Sequence, residues 1–186
     1  MDELYSLKSG RTLVANPYML DPIFLRSVIF LTEYGVAGAM GFIVNKPTEL
    51  KIHEVFNNFP HFDSNIYYGG PVDQDIVYYI HNLGLKIKGS VPITKNLWLG
   101  GDISEVKKLI LAKDINVNQI RFFIGYSGWA ENQLEEELQN ESWVVGPMKQ
   151  SYLLRANPSN IWQTVLKASK SKQSFLANYA FSPSLN

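Results

Sequence analysis

The chain has no cysteine. That excludes disulfides, a thiol nucleophile and a thiolate metal site. Histidine is scarce as well. His53, His61 and His81 are the whole complement, and none has the i, i+4 or short-loop spacing of a metal-ligand pair. An excess of charge of one sign is also missing, because 17 Lys and Arg balance 17 Asp and Glu to a formal net charge of zero. Domains that grip DNA or RNA usually carry a basic excess, since phosphate neutralisation supplies much of their affinity, so the balance counts against direct nucleic-acid binding. Long apolar runs are absent too: stretches such as Ser27 to Leu31 and Ile120 to Ile124 are far too short to cross a bilayer. The opening Met1-Asp2-Glu3-Leu4-Tyr5-Ser6-Leu7-Lys8 lacks the apolar core of a signal peptide. These absences point to a soluble cytoplasmic protein without membrane contact, cofactor or metal.

What is present fits a globular chain. At 186 residues, with 46% apolar and 18% charged residues, it can bury a core without covalent staples, and no repeat or linker-like block divides it. One domain over residues 1–186 is expected. Thr12 to Ala15, Ser27 to Thr32 and Ala39 to Asn45 read as short β-branched strands bounded by turn signals, the last two forming a hairpin. Glu49 to Asn58 reads as a short helix through Leu50, Ile52, Val55 and Phe56. Further strands are expected at Ile66 to Tyr68, Ile76 to His81, Leu97 to Leu99, Arg121 to Ile124 and Ser142 to Val145. Asp102 and Glu105 make a capping-box pattern for a helix through Ala112, Ala130 to Asn140 reads as another, and Pro158 starts a last one ending near Ala168. Strands outnumber helices without strict βαβ alternation. The expected class is therefore α+β, with a mostly antiparallel, strongly bent sheet curling towards a small barrel-like core with surrounding helices.

The most specific segment is Gly125-Tyr-Ser-Gly-Trp-Ala-Glu-Asn-Gln-Leu-Glu-Glu-Glu-Leu138. Two glycines bracket Tyr126 and Ser127 on what reads as a strand-to-helix turn, a construction that can place side chains at a surface for use. Three more segments accompany it in order: Leu13 to Val28, Gly38 to Pro47, and Gly69-Gly-Pro-Val72. Together the four resemble the AlgH/YqgE family of bacterial proteins over nearly the whole chain, from about residue 8 onwards. The resemblance implies an α+β fold with a small closed barrel and helices around it. It also brings a transcriptional-regulator label inherited from one genetic context, with no agreed biochemical activity. Lys46 stands where the family often has Arg, and Asn132 where it often has Gly.

Asn16, Asp21, Arg26 and Asn45 lie at the edges of the first three strands. One reading has them tying down irregular backbone, with Arg26 paired to Asp21. The other has them line a cleft with Tyr126, Trp129 and Gln133, suited to a small polar ligand or a protein partner. That cleft, bordered by the segments 16–26, 45–46, 69–72 and 125–133, is the candidate site of a binding or regulatory protein. The alternative is a hydrolase or transferase acting through the Gly125–Trp129 turn, with Ser127 as nucleophile or Asp21 with a mobile water. Against it, Trp129 occupies the place of the second glycine of a nucleophile elbow, and the resembling family often carries Ala at the Ser127 position. Gly69-Gly70 and Gly100-Gly101 read as turns needing positive φ rather than phosphate loops. Glu131, Glu135, Glu136, Glu137 and Glu141 make the helix after Trp129 acidic. Glu131 favours the helix start, and the later ones read as a solvated face.

Overall fold

The computed structural model describes residues 6–147, 149–155 and 158–178. The strands are β1 (Thr12–Ala15), β2 (Val28–Gly35), β3 (Gly38–Ile43), β4 (Pro47–Lys51), β5 (Asn65–Tyr68), β6 (Val72–His81), β7 (Val91–Thr94), β8 (Leu97–Leu99), β9 (Ile120–Trp129) and β10 (Trp143–Gly146). The helices are α1 (Ile52–Val55), α2 (Ile103–Leu111), α3 (Gln133–Gln139), α4 (Gln150–Leu154) and α5 (Pro158–Ala168).

The sheet runs β10-β1-β2-β3-β9-β6-β8-β7, with β5 joining β9 and β4 pairing with β5. Every ladder is antiparallel except β5–β9, where Ile66 to Tyr68 run alongside Phe122 to Ile124. The α+β class and the predominantly antiparallel sheet agree with the sequence. The path, however, starts at β10 and finishes at β7 without returning on itself, so it is not a closed barrel.

Both faces of the sheet are covered, which is why β1 is buried at all four positions and the first five residues of β2 are buried. Alternate residues serve opposite layers, as the two-residue strand period demands. Val14, Val28, Phe30, Phe42 and Phe123 pack with Leu153 and Leu154 of α4 and with Ile161, Trp162, Val165 and Leu166 of α5. Leu13, Ile29, Leu31 and Ile43 pack on the other side with Trp129, Leu134 of α3 and Trp143. Ile66, Ile120 and Phe122 bury against Val106 and Ile110 of α2 in a third layer. The Asp102 side chain accepts the Ser104 N–H and caps α2, whereas Glu105 turns to Lys108 (2.8 Å).

Several stretches depart from the sequence expectation, and helix α4 had no counterpart in it. The expected helix over Glu49 to Asn58 is strand β4 followed by the single turn α1. Leu50, Val55 and Phe56 are exposed, and only Ile52 of that apolar set is buried, so the pattern marked no buried face. Strand β7, at the edge of the sheet, had no strong signal because Pro92 cannot donate to a ladder. The largest difference is β9. It does not stop at Ile124 but continues through Gly125, Tyr126, Ser127 and Gly128 to Trp129.

Candidate functional site

Asn16, Asp21, Arg26 and Asn45 all act on the loop between β1 and β2. The Asn16 Nδ2 donates to the Glu141 carbonyl (2.6 Å), and its Oδ1 accepts the Tyr18 N–H (2.8 Å). Asp21 Oδ1 accepts the Ile23 N–H (2.8 Å), an Asx turn. Arg26 sits in the left-handed region (φ 52°), and its guanidinium lies over the Trp162 ring at 5.7 Å. Asn45 imitates a strand partner: Oδ1 accepts the Val28 N–H and Nδ2 donates to the Arg26 carbonyl, both at 2.8 Å. Lys46 Nζ donates to the carbonyls of Pro22 (3.3 Å) and Ile23 (2.5 Å). Burial pulls the Lys46 pKa down, and nearby Asp21 opposes that pull.

Tyr126, Trp129 and Gln133 form a second group, positioned by the change of neighbours along β9. Its first half lies beside β5 and its second half beside β3, whose Ala39 to Gly41 face Trp129 to Ser127. Gly69 closes the fork between them. Its N–H donates to the Ile124 carbonyl (2.8 Å), and its carbonyl accepts the Ile43 N–H (2.9 Å) and the Ser127 hydroxyl (3.1 Å). Ser127 is only 1% exposed, so its hydroxyl ties the fork together rather than meeting a substrate. Asn132 enters α3 in the left-handed region (φ 61°).

Glu137 was read from the sequence as solvation, and it is the hub of this group. One carboxylate oxygen accepts both Trp129 Nε1–H (2.9 Å) and Trp143 Nε1–H (2.6 Å), and the other accepts Gln133 Nε2 (2.9 Å). The two indoles meet edge to face at 6.0 Å, and Phe24 adds a second edge contact on Trp143 at 5.5 Å. Phe24 and Trp143 thus bring the loop that Asn16 and Asn45 hold next to the Trp129 cluster.

Tyr126 and Trp129 also line a hollow of about 410 Å³ with Glu33, Ala37, Gly38, Ala39, Met40, Val72 and Gly128. Tyr126 stands edge-on to Tyr78 at 5.7 Å. Asn16, Asp21, Arg26, Asn45 and Gln133 do not line this hollow. The arrangement offers an aromatic and thioether wall with the exposed Glu33 carboxylate at its margin.

The histidines lie elsewhere. His53 and His61 face each other at 4.4 Å, and among the described residues no group of three or more His, Asp or Glu could hold a metal. His81 is fully buried, with Nε2 3.0 Å from the Gly100 carbonyl and Nδ1 accepting the Leu83 N–H (3.2 Å). That pairing fixes the neutral Nε2–H tautomer. Burial lowers the His81 pKa from its ordinary 6.5, and the hydrogen bond to Gly100 opposes this. A depressed value means that the unfolded chain binds the proton first. Stability is therefore complete above pH 6.5 and is lost as the pH falls below it towards the lowered folded value. The urea midpoint of the wild type should fall between about pH 7 and about pH 5, and His81→Gln should flatten that fall. An identical slope in both proteins would remove His81 as its cause.

The sequence profile of the AlgH-like family (DUF179) matches residues 12–174. A UPF0301 protein of Cytophaga hutchinsonii is 39% identical over 181 residues, covering 97% of this chain and 100% of the relative. A UPF0301 protein of Bacteroides thetaiotaomicron is 34% identical over 95% of this chain and 90% of its own length. The solution structure of the AlgH protein from Pseudomonas aeruginosa superposes with a TM-score of 0.74 at 27% identity, covering 98% of each chain. The crystal structure of a Corynebacterium diphtheriae protein, 23% identical and covering 96% of this chain and 95% of its own, shares the fold at a TM-score of 0.78. No helix among the described residues is long and apolar enough to cross a membrane. The four ordered segments and these matches agree: the chain belongs to the AlgH-like UPF0301 family.

Proposed function

We propose that this chain is a one-domain cytoplasmic binding protein whose ligand contacts lie in the hollow between β3 and the end of β9. Tyr126, Trp129, Met40 and Val72 would hold the apolar body of a small molecule or of a partner's side chain. The exposed Glu33 would receive a basic or N–H group at the margin. A regulatory role would then run through such contacts rather than through DNA, in keeping with the neutral net charge.

One observation carries this reading. Asn16, Asp21 and Asn45 are engaged with backbone, Arg26 lies over Trp162 and Gln133 is held by Glu137, whereas Tyr126 and Trp129 of the candidate set line a hollow. Its volume of about 410 Å³ lies in the range of small-ligand sites. The Ser127 form of the hydrolase or transferase alternative needs a free hydroxyl, and that hydroxyl is buried on the Gly69 carbonyl; in the Asp21 form, Oδ1 is already engaged by the Ile23 N–H.

Thermal-shift screening against metabolites and nucleotides tests the proposal when it is paired with two surface variants. Ala37→Trp fills the hollow from its exposed side, and Glu33→Lys reverses the charge at its margin. Compounds that raise the wild-type melting temperature should bind both variants roughly tenfold more weakly, while the unliganded melting temperatures stay unchanged. Hits that bind all three proteins equally would dismiss the hollow as the working site.

A further inference from the structure

We infer that buried Arg121 is the centre of a second binding site, one for the phosphoryl group of a small ligand, in the hollow between the start of β9, β5, the end of α4 and the first residue of α5. The hollow measures about 370 Å³, and its lining includes Arg121, Asn118, Ser64, Tyr67, Arg155 and Pro158. It shares no lining residue with the Tyr126–Trp129 hollow.

Arg121 interrupts the otherwise apolar run Ile120 to Ile124 and is only 7% exposed. An arginine does not deprotonate at such a site, so its charge has to be compensated in place. Among the described residues it makes one hydrogen bond, from NH1 to the Val44 carbonyl (3.1 Å), and its guanidinium lies 4.1 Å over the Tyr67 ring. No carboxylate pairs with it among the described residues. A carbonyl dipole and a ring face compensate a full charge only in part. The remaining guanidinium donors form the planar fork that matches a phosphate.

The surroundings point the same way. Arg155 adds a second guanidinium at the exposed edge. Pro158, the first residue of the eleven-residue helix α5, also borders the hollow, and the first turn of that helix carries no acidic residue. Asp63 is the one acid of the lining, and Lys51 neutralises it at 2.6 Å. Asn118 and Ser64 supply neutral hydrogen-bonding groups. The space is several times larger than one phosphate and leaves room for the body of a phosphorylated small molecule beside Val117, Leu154 and Pro47.

The test is a titration of the folded wild-type chain with inorganic phosphate and with pyrophosphate, followed by amide chemical shifts. Sodium chloride at matched ionic strength and succinate serve as controls. Saturable shifts should centre on Ser64, Asn118 and Arg121 for the phosphates. Affinity should fall roughly tenfold in Arg121→Gln and severalfold or more in Arg155→Glu, a surface change that leaves the melting temperature intact. If Arg121→Gln does not fold, the Arg155→Glu comparison decides the matter alone. The inference is overturned if phosphate and pyrophosphate give no saturable shifts at concentrations on the order of 20 mM. It is equally overturned if succinate binds as well as phosphate, or if Arg155→Glu binds like the wild type. Any of these results would leave the Tyr126–Trp129 proposal where it stands.

Discussion

Glu137→Ala is expected to destabilise the fold by about 2–4 kcal/mol, although Glu137 belongs to an acidic run on a surface helix. The cost comes from the groups left behind. Trp129 and Trp143 are 7% and 4% exposed, and both indole N–H groups are directed at one Glu137 oxygen. A buried donor that loses its acceptor costs about 1–3 kcal/mol, more when the acceptor was charged, and the Gln133 amide is released as well. For a chain of this length the loss corresponds to a fall in melting temperature of roughly 5–15 °C. Glu137→Gln keeps an acceptor and should lose about 1 kcal/mol. Glu136→Ala, one residue away on the exposed side of the helix, should stay within about 0.5 kcal/mol of the wild type. Urea unfolding followed by tryptophan fluorescence measures all three. Equal midpoints for the Glu136 and Glu137 alanine variants would mean that the carboxylate holds nothing.

That hub shows where the sequence was readable and where it was not. β1, β8 and α5 have the bounds that the sequence indicated, because each carries a local signal: a buried β-branched run, a short apolar run between turn signals, and a first-turn proline with a 3.6-residue apolar stripe. Glu137 had only half of its signal in the chain. Its four-residue spacing from Gln133 was visible, but its other partners are an indole that ends β9 and one that opens β10, and no periodicity links those positions. Asn16 and Asn45 were legible as either backbone ties or cleft residues, since an amide serves both uses equally well. Only the partners Glu141 O, Val28 N–H and Arg26 O separate the two. Arg121 carried a usable signal, a permanent charge inside Ile120-Arg-Phe-Phe-Ile124, but a strand pattern does not say whether a carboxylate waits across the sheet. The glycines misled for a different reason. A glycine is equally at home in a turn and where two backbones nearly touch. Gly69-Gly70 do form the connection from β5 to β6 as the sequence indicated, but Gly125, also read as a turn, lies inside β9.

Gly70→Ala separates those two uses and should be among the most damaging single-methyl changes, costing about 3–5 kcal/mol. Gly70 has φ +152°, and a β-carbon there would sit 2.3 Å from the carbonyl carbon and oxygen of Tyr126 and 2.5 Å from the Ser127 nitrogen. All three are main-chain atoms of β9 at the fork, so no side chain can rotate away, and the strand itself would have to move. Opposite it, a β-carbon on Gly125 (φ +64°) would sit 2.5 Å from the Gly70 carbonyl oxygen and 2.6 Å from that of Val72. The two backbones therefore interlock without side chains, and β6 resumes its pairing with β9 only after a shift between Val72 and Val77. Gly100→Ala is the control, because Gly100 has φ +61° but nothing within 4 Å of its would-be β-carbon. It should lose only the conformational cost of a left-handed alanine, about 1–2 kcal/mol. If a need for positive φ were the whole reason for the glycine at residue 70, the two variants would unfold at similar urea concentrations. If close approach of main chain to main chain is the reason, Gly70→Ala should unfold well before Gly100→Ala or fail to accumulate folded. It should also disturb the Tyr126–Trp129 hollow, because Tyr126 cannot hold its place on β9 once the atoms facing Gly70 are displaced.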